Sequence, residues 1–257
     1  MLYNYHTHTT RCRHAKDSER QYIETAIKAG TKVLGFSDHV PVAGFPEGYY
    51  SGFRMTPEEL PDYVETLKAL KKEYKQQIEI LIGFEMEYYP AYFEETLQLL
   101  APYDYDYLIL GQHRLHREWD DLEQVCTMAP TPLRLTQYVE QVVEGMKTGV
   151  FSYLAHPDML CFEEGDEDGR RLMEKICITA NEMNMPLEYN LLGARAKRRY
   201  PTERFFRLAA EHNCSIILGC DAHSAKPLFD PKTEQEAYEF LARCGVTNIT
   251  DQIRLRK

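Results

Sequence analysis

Leu2-Tyr3-Asn4-Tyr5 reads as a short strand, and from its end hangs His6-Thr7-His8. Alternate residues of a strand face the same side, so His6 and His8 turn toward one point at its C-terminal end. Two imidazoles aimed together are half of a metal site, and His14 follows after a short polar stretch. Alone, a His-Thr-His is equally consistent with surface histidines near a terminus. The rest of the chain decides between the two, because an apolar run ending in a metal-ligating side chain recurs along it.

Ser18 with Gln21 resembles a capping box ahead of Tyr22, Ile23, Ala26 and Ile27, which predicts a first helix stopping at Gly30. A strand over 33–37 then delivers Asp38-His39. Beyond a Pro/Gly/Tyr-rich loop (41–55), Thr56-Pro57-Glu58-Glu59 starts a long helix. A strand over 78–84 delivers Glu85, a helix spans 92–100, and a strand over 106–111 leads to Gln112-His113. The loop 114–132 carries the only tryptophan, Trp119. A helix with Leu135, Tyr138, Val139, Val142, Val143 and Met146 on one face closes at Gly149. A strand over 151–155 delivers His156, then come a helix over 171–184, a strand over 186–190 and a basic loop with Arg195, Lys197, Arg198 and Arg199. Thr202 caps a helix to about 213, a strand over 215–219 runs into Cys220-Asp221-Ala222-His223, and 234–243 is the last helix.

Strands and helices in alternation predict a parallel sheet, here closed as a barrel, and such barrels carry their chemistry at the C-terminal ends of the strands. Seven of the nine histidines fall there: His6, His8, His14, His39, His113, His156 and His223, with Asp38, Glu85 and Asp221. Of the other two, His116 reads as an exposed loop residue and His212 as a helix end where the dipole favours it.

The 257 residues suit one such domain, 1–257, with no linker or internal repeat to divide it. A net charge of −10 sets the overall field against nucleic-acid polymers and acidic membrane surfaces, so an anionic substrate needs local positive charge. The seven scattered cysteines contain no C-x-x-C pair, which suits reduced thiols in a cytosol, and Cys12 and Cys220 are not assigned to metal. No leader pattern opens the chain and no run approaches the roughly 20 apolar residues of a membrane span, so a cytoplasmic protein is expected.

Taken in order, His6-Thr-His8 with His14, Asp38-His39, Gly83-Phe-Glu85, His113, His156 and Asp221-Ala-His223 resemble the polymerase and histidinol phosphatase (PHP) metallophosphoesterases over nearly the whole chain. The N-terminal spacing, with Cys12 and His14-Ala15, is most similar to the monofunctional histidinol-phosphate phosphatases. The resemblance implies a distorted (β/α)7 barrel holding three divalent ions. It implies His6, His8, Glu85 and Asp221 on the first, Glu85, His113 and His156 on the second, and His14, His39 and His223 on the third. Imidazole and carboxylate without thiolate suit zinc, iron or manganese rather than calcium or magnesium. Two such cations hold a water between them and lower its pKa from 15.7 toward roughly 7, supplying a hydroxide that attacks phosphorus without a protein nucleophile. Asp221, His223 and Glu85 are the expected catalytic groups, with Asp38 orienting a neighbouring histidine.

Arg195, in Asn190-Leu-Leu-Gly-Ala-Arg195, stands where the family has a phosphate-binding arginine, so Asn190 and Arg195 are the expected substrate contacts, while Lys197, Arg198 and Arg199 read as a solvated loop. The stretch His156-Pro-Asp-Met-Leu-Cys-Phe162 lacks a basic residue that many of these phosphatases carry there, which bears on the substrate; Arg114 and Arg117 read equally as substitutes from the neighbouring loop or as surface residues. Tyr49, Tyr50 and Phe53 read equally as a lid over the site or as packing on the barrel rim. The expected function is hydrolysis of a small phosphorylated metabolite, first L-histidinol phosphate in histidine biosynthesis. A PHP phosphoesterase acting on a nucleotide or other phosphoester is the alternative, and a non-catalytic, metal-stabilised binding domain the third reading.

Overall fold

Parallel pairing organises the molecule. The strands β1 (Tyr3–Asn4), β2 (Val33–His39), β3 (Glu79–Met86), β4 (Tyr107–Leu110), β5 (Tyr153–Leu154), β6 (Leu187–Asn190) and β7 (Ile216–Gly219) neighbour one another in chain order. The computed structural model describes residues 1–120 and 123–256, so 121 and 122 of the loop expected over 114–132 lie outside the described residues. Between the strands run α1 (Glu19–Lys28), α2 (Leu60–Tyr74), α3 (Phe93–Leu100), α4 (Pro132–Lys147), α5 (Glu167–Glu182), α6 (Leu191–Arg195), α7 (Glu203–Glu211) and α8 (Pro231–Arg243). This is the α/β, (β/α)7 class that the sequence predicts. No helix among the described residues is long and apolar enough to cross a membrane.

The chain divides into two compact units, one of Met1–Leu108, Cys220–Pro231 and Leu255–Lys257, the other of Ile109–Gly219 and Lys232–Arg254. In the first, β2 pairs with β3 over seven residues, from Val33 opposite Glu79 to His39 opposite Glu85. All of β2 and all of β3 after Glu79 are buried, as a parallel strand covered on both faces must be. The Tyr107 ring lies where side chains on Gly35 and Gly83 would be. A Cβ at Gly35 would meet the Tyr107 hydroxyl at 2.2 Å, and one at Gly83 the ring at 2.5 Å. That hydroxyl donates to the Tyr5 carbonyl at 2.7 Å, tying the strand that presents His6 to the interior. Beyond β7 the chain re-enters this unit: Ala222 bridges Thr7, His8 N–H donates to the Ala222 carbonyl at 2.9 Å, and Ala222 N–H to that of His6 at 3.2 Å.

Helix ends follow their local signals. Ser18 and Gln21 form the reciprocal capping box of α1, and Thr131 and Thr202 cap α4 and α7. In the second unit β6 pairs with β7 from Leu187 opposite Ile216 to Asn190 opposite Gly219. Several boundaries differ from expectation. Helix α5 starts at Glu167 rather than 171, because the Asp166 carboxylate accepts Gly169 N–H at 2.9 Å and caps it earlier. Helix α8 starts at Pro231 rather than 234. Arg195 belongs not to a loop but to α6, a short helix that Asn190 caps by accepting Gly193 N–H at 2.8 Å.

Candidate metal centre

Seven of the nine expected ligands lie in the first unit, and the fold gathers them. His6 and His8 follow β1, His39 ends β2, Glu85 sits near the end of β3, and Asp221 and His223 flank the Ala222 bridge. His6 Nε2 lies 3.4 Å from Glu85 Oε2 and 3.6 Å from Asp221 Oδ1; His8 Nε2 lies 3.5 and 3.2 Å from the same two oxygens. His39 Nδ1 is 3.0 Å from Glu85 Oε2. His14 Nε2 and His223 Nε2 face each other at 2.9 Å, and the His8, His14, His39 and His223 rings stack as a group.

This donor set fits divalent cations. Both ring nitrogens of His8 are buried and lack a hydrogen-bond partner, although two carboxylate oxygens lie close by. Packing buried carboxylates beside imidazoles without a compensating ion is costly. Donors about 2.1 Å from a tetrahedral ion stand roughly 3.4 Å apart, close to the spacings found here. The groups His6–His8–Asp221, His8–His39–His223 and Cys12–His14–His223 each present their ligand atoms within 4.8 Å of one another. Cys12 is nevertheless a poor thiolate: burial, then Asp38, raise its pKa.

The electrostatics bear out the crowding. Burial pulls the His8 imidazole down, but Asp221, Asp38 and Glu85 outweigh it and push it up to about 9. Burial and the neighbouring His8 charge push His223 down to about 3. Burial would raise Asp221, yet His6, His8 and His223 hold it well below the usual carboxylate range. Asp38 lies beside the histidines it is expected to orient. Its Oδ1 faces His8 Nδ1 at 3.5 Å and accepts His39 N–H at 3.0 Å, while its Oδ2 accepts Thr9 N–H at 3.2 Å.

Phe53, one of the two-way aromatic readings, stacks on His39 and His14 with ring centroids 4.3 and 5.3 Å away, whereas Tyr50 is 70% exposed and Tyr49 packs on Phe45. The turn that carries Phe53 is fixed by Arg54, a buried arginine that donates to the Val40 carbonyl at 3.1 Å and pairs with buried Glu87. Neither partner stands out in the sequence.

In the second unit His113 and His156 are buried, with ring centroids 4.8 Å apart. His156 has a left-handed backbone, φ 32°, and its N–H donates to Glu188 Oε2 at 3.0 Å. The same oxygen accepts from Asn190 Nδ2 at 2.9 Å. Arg195 is half-buried at the end of α6, while Lys197, Arg198 and Arg199 are exposed. After His156, residues 158–162 are buried core, and burial pushes the Asp158 carboxyl up to about 6. His116 is exposed, and His212 Nε2 pairs with Glu174 at 2.9 Å. Sequence reasoning missed Glu188; its signal was an acid inside the otherwise uncharged strand Leu187-Glu188-Tyr189-Asn190.

Fold and site together define a histidine- and carboxylate-rich α/β metal-binding protein. The PHP domain profile matches residues 4–191, and the chain belongs to the PHP family. It is 30% identical over 224 residues to a Deinococcus radiodurans protein named "Probable histidinol-phosphatase", covering 85% of each chain. It is 26% identical over 271 residues to histidinol-phosphatase of Bacillus subtilis, covering 93% of this chain and 98% of the relative. Among solved structures, histidinol phosphate phosphatase of Lactococcus lactis, complexed with zinc, L-histidinol and phosphate, shares its fold with a TM-score of 0.73 at 17% identity, over 99% of this chain and 98% of the other.

Proposed function

We propose that the protein is a metal-dependent phosphomonoesterase that hydrolyses L-histidinol phosphate to L-histidinol and phosphate, with residues 1–257 acting as one functional domain. The observation that carries this reading is the buried knot of His6, His8, His39, Glu85 and Asp221, which has the composition and spacing of a cation site. The names of the relatives supply the substrate.

His6, His8, Glu85 and Asp221 would hold one ion and His14, His39 and His223 another; the family resemblance also gives His113 and His156 the role of metal ligands. When bound, divalent ions lower the pKa of water and neutralise phosphoryl charge. The chain's own groups do the rest. Asp221, whose Oδ1 lies 3.2 Å from His8 Nε2 and 3.3 Å from His223 Nδ1, would accept the proton of the attacking water on its carboxylate and return it to the leaving alkoxide, with His223 orienting that carboxylate from its Nδ1 side. Arg195 offers a planar fork to the phosphate oxygens, with Asn190 setting the helix that carries it. Asp38 keeps His8 turned with Nε2 toward the carboxylates.

Phosphate release by the zinc-, manganese- or iron-reconstituted protein tests the reading, with L-histidinol phosphate set against sugar phosphates, nucleotides and a phosphodiester. A kcat/KM above roughly 10⁴ M⁻¹s⁻¹ for histidinol phosphate, far ahead of the panel, is expected. A clear winner elsewhere would keep the chemistry and overturn the substrate.

A further inference from the structure

Glu188 is fully buried in the middle of β6. A carboxylate there is expensive unless its oxygens are satisfied, and the fold makes specific room for it. Gly219, on the adjacent strand β7, lies against it, and a Cβ at that glycine would sit 1.6 Å from Glu188 Oε1. The other oxygen, Oε2, accepts two hydrogen bonds. One comes from the backbone N–H of His156 at 3.0 Å, the other from the side-chain amide of Asn190 at 2.9 Å. Each partner leads to a different part of the chemistry. His156 leaves its strand with a left-handed backbone, φ 32°, a conformation uncommon in residues other than glycine. Asn190, with its Nδ2 held, presents Oδ1 to Gly193 N–H at 2.8 Å and so starts α6, whose last residue is Arg195.

We propose that Glu188 is a positioning residue in which one carboxylate oxygen places both the backbone of a cation-binding histidine and the helix bearing the phosphate-binding arginine. It serves a divalent cation on one branch and a phosphate monoester dianion on the other, and it rests on the roles given above to His156 and Arg195. Charge on the acceptor matters, because charge-assisted hydrogen bonds are roughly twice as strong as neutral ones. A glutamine keeps one oxygen for both donors; a methionine keeps the volume and accepts neither.

The test uses the full chain and reads binding rather than turnover. Zinc affinity is measured by competition with a chromophoric chelator, and affinity for inorganic phosphate by calorimetry at saturating zinc. Glu188→Met is expected to weaken both by about 10- to 100-fold, the usual effect of removing a group that orients a metal ligand, with Glu188→Gln losing only a few-fold of each. Arg195→Ala should lose phosphate and keep zinc, which separates the two branches. If Glu188→Met does not fold, Gly219→Ala displaces the same carboxylate without removing any hydrogen-bonding atom and should show the same double loss. A folded Glu188→Met or Gly219→Ala that binds zinc and phosphate as wild type does, or loses only one of them, overturns the proposal. Unchanged phosphate affinity in Arg195→Ala overturns the role of Arg195 instead, and wild type that binds both yet spares histidinol phosphate overturns only the substrate.

Discussion

Asp38→Asn exchanges one carboxylate oxygen for an NH2 group and is expected to damage the metal centre in either orientation of the new amide. The carboxylate has four neighbours: His39 N–H at 3.0 Å and His8 Nδ1 at 3.5 Å on Oδ1, with Thr9 N–H at 3.2 Å and the Thr9 hydroxyl on Oδ2. An asparagine has one acceptor oxygen. If that oxygen replaces Oδ1, the NH2 group confronts Thr9 N–H. If it replaces Oδ2, the NH2 group confronts His39 N–H and donates to His8 Nδ1, forcing the proton of neutral His8 onto Nε2, the nitrogen that faces Glu85 and Asp221. One buried N–H is therefore left without an acceptor, at about 1–3 kcal/mol, or roughly 2–12 °C in melting temperature for a chain of this size. The lost orientation should weaken zinc by about 10- to 100-fold. Chelator competition reads the affinity and differential scanning calorimetry of the metal-free protein reads the stability. A variant that binds zinc within twofold of wild type would refute the orienting role of Asp38.

The metal-free protein should show a stability maximum near pH 6.5. His8, raised to about 9 in the fold, stabilises it fully below pH 6.5, and that contribution, on the order of 3 kcal/mol, is lost as pH rises through 9. His223, lowered to about 3, acts in the opposite sense, costing stability as pH falls from 6.5 toward 3. Urea melts of chelator-treated protein across pH 4–10 check this, and zinc should flatten the alkaline limb; a flat metal-free profile would contradict the packing of charges around His8. Arg195→Lys should raise KM for the phosphate ester with less effect than Arg195→Ala, which is expected to cost about 10- to 150-fold in kcat/KM; equal kinetics for all three would remove Arg195 from the phosphate site. Gly83→Ala places a Cβ 2.5 Å from the Tyr107 ring and should destabilise by about 1–3 kcal/mol, a loss that a smaller residue at 107 partly restores, as a double-mutant cycle would show.

The strand ends were legible because a parallel strand buried on both faces announces itself as a short apolar run, and a ligand at its end breaks the run with a histidine or an acid. The expected strand over 33–37 extends through Asp38 and His39, and that over 78–84 through Met86, because the two pair residue for residue as far as His39 and Glu85. Helix starts were legible wherever a side chain makes the cap, as at Ser18, Thr131 and Thr202. Helix α6 was not, since its five residues carry no periodicity and its capping residue also ends a strand. Contacts between residues distant in sequence left no local trace: Arg54 with Glu87, Tyr107 over Gly35 and Gly83, and Phe53 against two histidines. Glu188 was visible as an anomaly whose meaning depends on Gly219, 31 positions on.

Backbone conformation carries a signal that composition does not. Among the described residues, seven non-glycine residues have positive φ, and five of them (Arg13, Asp17, Asn184, Lys197 and Asn213) lie in turns or just past helices, where one left-handed residue ends the element. The other two are His156 and Asp221, each two residues beyond its strand and each an expected ligand. A left-handed conformation costs an L-residue roughly 1 kcal/mol or more, and glycine would relieve it while discarding the donor atom. Strain retained at these two places follows from a requirement for the side chain. It predicts an inversion at position 156 in the metal-free protein: His156→Gly should be more stable than His156→Ala by about 1 kcal/mol, although glycine in an ordinary element is the less stable of the two. Both variants lack the imidazole equally, so cavity and ligand losses cancel in the comparison. Equal stability, or an advantage for alanine, would show that the turn after β5 is unstrained and that His156 stands there for reasons of packing alone.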